Sequence, residues 1–176
     1  SFEQEYSALF TVDQEAFFED GDVEKGMDKS LVAQYDWHET PCSVGIDFGG
    51  AGGATAITVV THFTEKVIVL FQYAMVNFDE NLLMDKNWEH SIPNICKRYD
   101  IRHVVVDECP QSTRTTAQLL NEGYPDLKFN FTADAFLGER NRGYYIFRSH
   151  LNQNRIKYPE FRELMSEMKS LQESGA

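Results

Sequence analysis

The sequence predicts an α/β fold with a mixed sheet, in which three antiparallel strands lead into β-α-β units and helices lie on both faces. Three observations carry that expectation. Strand-like segments crowd together between residues 43 and 78 with only short connections, which makes them antiparallel neighbours. The run Val104-Val105-Val106 is apolar without alternation, as suits a strand covered on both faces. Apolar stripes of helical period fall between and after the later strands.

The chain is organised around Cys42–Val60. Val44, Ile46 and Phe48 alternate with Gly45 and Asp47 in the period of two of a strand, which sets a first strand over Ser43–Phe48. Gly49, Gly50, Gly52 and Gly53 permit a tight reversal, because glycine tolerates positive φ. Ala54–His62, rich in β-branched residues, returns as the second strand. Lys66–Phe78 is the third, after a turn at Thr64-Glu65. A helix is expected from Asp79 or Glu80 to Tyr99, where Leu82, Leu83, Trp88, Ile92 and Ile95 share a stripe and Pro93 signals a kink or break. Ile101–Asp107 is the fourth strand. Ser112 or Thr113 can cap a helix through Asn121, closed by Gly123. Leu127–Phe131 is the fifth strand, Asn141–Leu151 a helix and Arg155–Tyr158 a short extended piece. Pro159 starts a last helix through about Gln172, with Phe161, Leu164, Met165, Met168 and Leu171 as its core stripe. Residues 1–40 read as an N-terminal arm or linker packing on a domain at 41–176. The arm is acidic, with Phe2, Tyr6, Leu9 and Phe10 on one helical face and Phe17-Phe18 as an apolar pair.

A chain of 176 residues fits one domain with a real core, and 42% hydrophobic with 13% aromatic residues excludes a disordered one. No apolar run approaches the roughly 18–20 residues that cross a bilayer. The start of the chain lacks the basic-then-apolar order of a signal peptide, so a soluble intracellular protein with no membrane partner is expected. Cys42, Cys96 and Cys109 are odd in number and far apart, which gives neither a metal-ligand spacing nor a disulfide framework and reads as buried reduced thiols. The net charge of -12 argues against strong unaided binding to nucleic acid. The distribution qualifies that. Residues 1–30 hold nine acids against Lys25 and Lys29, whereas residues 135–159 hold Arg140, Arg142, Arg148, Arg155 and Lys157 against Glu139. Such a local basic face is compatible with phosphate contact, and a solvated helix face is the competing reading.

The order β-β-β-α-β-α-β-α is that of the ribonuclease-H-like fold. In such a sheet the first strand lies centrally and the fourth comes to lie beside it. Asp47 and Asp107 then end neighbouring strands at one edge of the sheet. Strands lie about 4.8 Å apart, so two carboxylates there can share a metal. Hard cations such as Mg²⁺ prefer carboxylate oxygens, and two ions about 4 Å apart can activate a water and stabilise the leaving oxygen of a phosphodiester. Asp47 and Asp107 are therefore the first candidates. Glu108 points to the opposite face of its strand, and Asp134, just after the fifth strand, suits a turn or helix cap, so both rank behind them. His38, His62, His90, His103 and His150 are scattered and form no ligand or catalytic spacing with one another. No phosphate loop ending in Gly-Lys-Ser/Thr is present, and the glycine loop precedes a strand rather than a helix N-terminus.

With those residues placed, most of the chain resembles the C-terminal nuclease domain of the large terminase subunit, the DNA-packaging motor of tailed bacteriophages with a herpesvirus counterpart. Phe2-Glu3-Gln4-Glu5-Tyr6 with Phe10 is similar to the segment after that family's ATPase domain. Gly45-Ile46-Asp47-Phe48-Gly49, followed by Thr55-Ala56-Ile57, is similar to its first acidic strand and hairpin, and Val104-Val105-Val106-Asp107 to its second. Tyr144–Arg148 and Arg155-Ile156-Lys157-Tyr158-Pro159, with a helix carrying Leu164 and Leu171, look like its C-terminal region. The resemblance implies a metal-dependent endonuclease that cuts concatemeric double-stranded viral DNA at the start and end of packaging, in the cytoplasm of the infected host cell. It implies two Mg²⁺ or Mn²⁺ ions on Asp47, Asp107 and a third aspartate beyond the last helix. No aspartate stands in Gln172-Glu173-Ser174-Gly175-Ala176, so the C-terminal end is expected to be truncated, or Asp134 or another acid to substitute. An ATPase domain, a small terminase subunit and a portal are the partners it implies for the full protein.

Two other readings compete. Ile46-Asp47-Phe48-Gly49-Gly50 also resembles the first phosphate hairpin of sugar kinases and actin-like phosphotransferases. Length disfavours that reading, and the second glycine-rich motif is missing, since proline follows Val106-Asp107-Glu108-Cys109. In a non-catalytic DNA-binding module, residues 135–159 would carry the binding and the acids would be remnants.

Overall fold

The computed structural model describes residues 14–19, 21–48, 53–62, 65–107, 118, 121–125, 128–132 and 137–174. In chain order the elements are β1 (Gln14–Ala16), α1 (Asp22–Gly26), β2 (Trp37–Asp47), β3 (Ala54–Thr61), β4 (Val67–Val76), a 3-10 turn (Glu80–Met84), α2 (Ile92–Arg98), β5 (Tyr99–Asp107), β6 (Lys128–Thr132), α3 (Leu137–Asn152), β7 (Ile156–Lys157), α4 (Arg162–Ser170) and β8 (Gln172–Ser174). Six strands form one sheet in the order β6-β5-β2-β3-β4-β7, and β1 pairs with β8 in a separate two-stranded ribbon. β2, β3 and β4 are antiparallel neighbours, while β5 runs parallel to β2 and β6 parallel to β5. This is the expected ribonuclease-H-like mixed sheet, with the first acidic strand at its centre.

Alternation along the central strands sorts the two faces. Cys42, Val44 and Ile46 of β2 are buried with Ile57 and Val59 of β3 and Val104 and Val106 of β5. Ile92 and Ile95 of α2 close this core, joined by Leu83 from the 3-10 turn. On the other face, Val69 and Ile156 meet Val23 of α1, Leu151 of α3, Met168 of α4 and Phe17, Phe18 and Tyr158. The stripe Phe161, Leu164, Met165, Met168 and Leu171 lies against this second core, as its spacing requires.

Several boundaries differ from the sequence reading for physical reasons. β2 begins at Trp37, inside the stretch assigned to the arm. Pro41 does not end it, because the pairing with β5 is irregular between Trp37 and Cys42 and the ladder there does not need the missing N–H. The long helix expected up to Tyr99 is instead a 3-10 turn and a separate helix. Pro93 occupies the first turn of α2, where a missing N–H costs nothing, and the Ser91 hydroxyl accepts from Asn94 N at 3.4 Å. The extended piece at Arg155–Tyr158 adds a sixth strand, β7, parallel to the start of β4. Residues 118 and 121–123 are helical, and the rest of the helix expected from Ser112 or Thr113 lies outside the described residues. So do Phe2, Tyr6, Leu9 and Phe10, as well as Cys109. Cys42 and Cys96 are free thiols, the first buried and the second half-buried.

The N-terminal segment is built into the second core. Tyr158 is fully buried, its hydroxyl donates to Val23 O, and backbone bonds tie it to Gly26 and Asp28. Gly26 is required for this approach. A Cβ there would lie 2.6 Å from the Tyr158 ring and 2.7 Å from Leu151 Cδ1. Gly26→Ala is expected to lose roughly 1–3 kcal/mol through overpacking, read as a lower urea midpoint.

On the opposite face His90 is buried in a box of Phe71, Tyr73 and Trp88. Arg98 Nη2 lies 3.3 Å from His90 Nδ1, and arginine can only donate, so that nitrogen accepts and the ring is neutral. Burial holds the His90 pKa below its ordinary 6.5, against the pull of Glu89 and with the help of Arg98. The folded state then binds fewer protons than the unfolded one. Folding stability is expected to be full above pH 6.5 and to fall as pH drops through the window below it. His90→Gln should flatten that part of a stability-versus-pH curve.

Candidate active site at the carboxyl ends of β2 and β5

Asp47 is the last residue of β2 and Asp107 the last of β5. Ile46 pairs with Val106 in the parallel ladder, so the next position on each strand sets Asp47 beside Asp107. The row continues outward as Thr132 beside Asp107 and as Ala56 and Ala74 beyond Asp47. Two carboxylates therefore hold adjacent positions at the carboxyl end of a parallel strand pair, the usual location of ligand sites in such sheets. Ala56 and Ala74 are small, which keeps the sheet surface next to Asp47 low.

Asp47 is exposed and opens into a cavity of about 350 Å³. Its floor is Ala54, Ala56, Gln72 and Ala74, and its far wall is the start of α4 with Glu160, Phe161, Arg162, Glu163, Leu164 and Glu167. The wall is acidic, and Arg162 within it lies 3.6 Å from Glu160. Carboxylate oxygens are the donor type that Mg²⁺ and Mn²⁺ take, so this pair of strand ends fits a hard divalent cation in chemistry. Among the described residues no cluster of three or more His, Cys, Asp or Glu side chains comes close enough to hold an ion. The register thus brings two acidic positions together among the described residues. Glu108 and Asp134 lie outside the described residues.

The described basic side chains of residues 135–159 differ in their surroundings. Arg140 and Arg142 lie in the first half of α3, and Arg155 is exposed just before β7. Arg148 is half-buried, with its guanidinium 4.6 Å from the Phe17 ring centroid and 4.7 Å from that of Tyr145. It also donates to Phe17 O at 3.2 Å, and Lys157 Nζ donates to Lys25 O at 2.8 Å. Arg148 and Lys157 thus anchor the N-terminal segment, a role that the sequence does not disclose.

Other groupings are not visible in the sequence. His62 and His103 are not isolated. Their rings lie 5.4 Å apart, and the Ser43 hydroxyl bonds His62 Nε2. A bulge in β5 around Arg102 brings His103 level with Ser43, while the strand order β3-β2-β5 places His62 on its other side. Burial, then the nearby His103, lowers the His62 pKa against the pull of Asp100. At the opposite end of β5 a cavity of about 480 Å³ is lined by His38, Cys96, Tyr99, Asp100, Ile101, Gly123, Tyr124 and Pro125. Burial pushes the Cys96 thiol up to about 11, so it is protonated and unreactive at neutral pH.

No protein-family model matches the chain, and no curated protein does. Solved structures do match in fold. The large terminase of a thermophilic bacteriophage aligns over 89% of this chain and 37% of its own, with a TM-score of 0.63 and 16% identity. The magnesium-bound large terminase nuclease of the thermophilic phage G20c aligns over 88% of this chain and 79% of its own, with a TM-score of 0.62 and 11% identity. The human cytomegalovirus terminase nuclease domain, manganese-soaked and inhibitor-bound, aligns over 88% and 86%, with a TM-score of 0.56 and 11% identity. The chain spans little more than a third of the first of these proteins. Its fold is the ribonuclease-H-like fold of these terminase nuclease domains.

Arg148→Met removes both the carbonyl bond and the ring stacking at Phe17. A loss of roughly 1–3 kcal/mol in folding stability is expected, read as a lower urea midpoint.

Proposed function

We propose that the chain is the nuclease part of a large terminase and cuts double-stranded DNA by divalent-metal-dependent phosphodiester hydrolysis. The observation that supports this best is the β2–β5 register, which sets Asp47, at the mouth of an open cavity, beside Asp107. The likeness in fold to terminase nuclease domains points the same way. The phosphotransferase alternative has less in its favour, because the glycine loop joins β2 to β3 and so leads into a strand.

In this reading Asp47 and Asp107 hold two Mg²⁺ or Mn²⁺ ions, with Glu108 or Asp134 as the candidates for a further carboxylate. When bound, the ions activate a water and neutralise charge on the attacked phosphate. The chain's own residues do the rest. Ala56 and Ala74 leave room beside the carboxylates, and Arg162 offers a guanidinium to a backbone oxygen at the cavity wall. Arg140, Arg142 and Arg155 supply phosphate contacts outside the site, where sequence-independent binding is electrostatic and salt-sensitive. Arg148 and Lys157 contribute indirectly, by fixing the N-terminal segment. The substrate is concatemeric viral DNA in the cytoplasm of the infected host cell. The partners are an ATPase domain in the same protein, a small terminase subunit and a portal.

The test is nicking of supercoiled plasmid by the full-length protein with Mn²⁺ or Mg²⁺. Asp47→Asn and Asp107→Asn are each expected to cut at least about 100-fold more slowly while circular dichroism stays unchanged. Intact plasmid with either ion, or undiminished cutting by Asp47→Asn, would overturn the assignment.

A further inference from the structure

The far wall of the Asp47 cavity is the start of α4, and the other end of α4 is tied to the N-terminal segment. α4 has nine residues, no side-chain cap at Phe161, and Met168 as its one buried residue. A helix this short is not stable by itself, so its position depends on what grips it. The grips come from residues 14–26. β1 pairs with β8, matching Gln14 to Ser174, Glu15 to Glu173 and Ala16 to Gln172. Phe17 N donates to Leu171 O at 2.9 Å, directly after the helix. Glu24 of α1 pairs with Lys169, which lowers the Glu24 pKa through that hydrogen bond. Phe17 and Phe18 are 7% and 6% exposed and pack edge to face with each other, while Phe18 meets Phe147 of α3 in the same way.

We propose that residues 14–18 with β8 form an intramolecular latch that holds the acidic start of α4 beside Asp47, and that its release frees the site for duplex DNA. The wall of the cavity beside Asp47 presents Glu160, Glu163 and Glu167. A duplex carries one negative charge per roughly 1.7 Å of axis, so that wall opposes its approach. The β1–β8 ribbon is a separate sheet of two short strands, so it can open while the six-stranded sheet stays intact. The effect on cutting rests on the nuclease reading above; the mechanical coupling does not.

Gln14 and Ser174 face each other in an antiparallel pair, a spacing of about 4.5–5.5 Å between Cα atoms that suits a disulfide. The double substitution Gln14→Cys with Ser174→Cys in the full-length protein locks the latch on oxidation. Phe17→Ala with Phe18→Ala releases it. Amide exchange over 162–170 is expected to be at least about 10-fold slower in the oxidised form than in the reduced form, and at least about 10-fold faster in the released variant than in the wild type. Exchange over 43–47 should stay unchanged in both. Manganese-dependent plasmid nicking is expected to fall several-fold on oxidation and to recover on reduction, with the wild type indifferent to redox state. Equal exchange over 162–170 in the oxidised and reduced forms overturns the latch. So does a change in exchange with no change in nicking. If no form nicks plasmid, the nuclease reading falls, and the exchange comparison still decides whether α4 is coupled to the arm.

Discussion

The register between β2 and β5 is the constraint on which the rest of the structure depends. Val44, Ile46, Val104 and Val106 are all 3% exposed or less and face the same core. The period of two then assigns Ser43, Gly45 and Asp47, with His103, Val105 and position 107, to the other side. A slip of one residue would drive Asp47 into that core, where an unpaired carboxylate is costly by several kcal/mol. The apolar residues thus place the acidic ones. No attraction between the two aspartates is needed to bring their backbone positions together.

A second constraint operates on the opposite face. Its core joins residues from both ends of the chain, with Phe17, Phe18 and Val23 against Leu151, Tyr158 and Met168. Tyr158 is its hinge point, because Gly26 lets the backbone close on its ring and Val23 O receives its hydroxyl. Burial raises the Tyr158 pKa, so the phenol stays protonated and keeps donating across the physiological range. The basic residues of the same region serve this interface as much as any ligand, since Arg148 is stacked on Phe17 and bonded to its carbonyl.

Much of the fold is legible in the sequence because burial leaves a periodic trace. The alternation at Ser43–Phe48 and the unbroken run at Val104–Val106 identify the central strands and the two aspartates at their ends. What is not legible lacks such a trace. β7 is two residues long, so the sequence shows an extended piece at Arg155–Tyr158 but not that it joins the sheet. The 3-10 turn and α2 feed the same core, so their apolar residues imitate one continuous stripe, and Pro93 reads as a kink where it is a start. Arg148 and Lys157 are engaged by tertiary contacts that composition does not record. His62 and His103 meet only because of the strand order and a bulge, and Glu160, Glu163 and Glu167 reach the cavity wall only through the packing of α4. The site is therefore visible at the strand ends and invisible at its helical wall.

The ribbon of β1 and β8 has a consequence for how the chain folds. It joins residue 14 to residue 174, nearly the whole length of the chain. Closing so long a loop carries a large entropic cost unless intervening structure has already shortened it. The sheet around β2, β3 and β4 is made of local pairings that can form early, and the ribbon can close only after α3 and α4 have brought the two ends near each other. The contact that forms last is a short, two-stranded one at the periphery, and such contacts are the first to open under native conditions. Late closure in folding and early opening in the native state are thus expected of the same short ribbon.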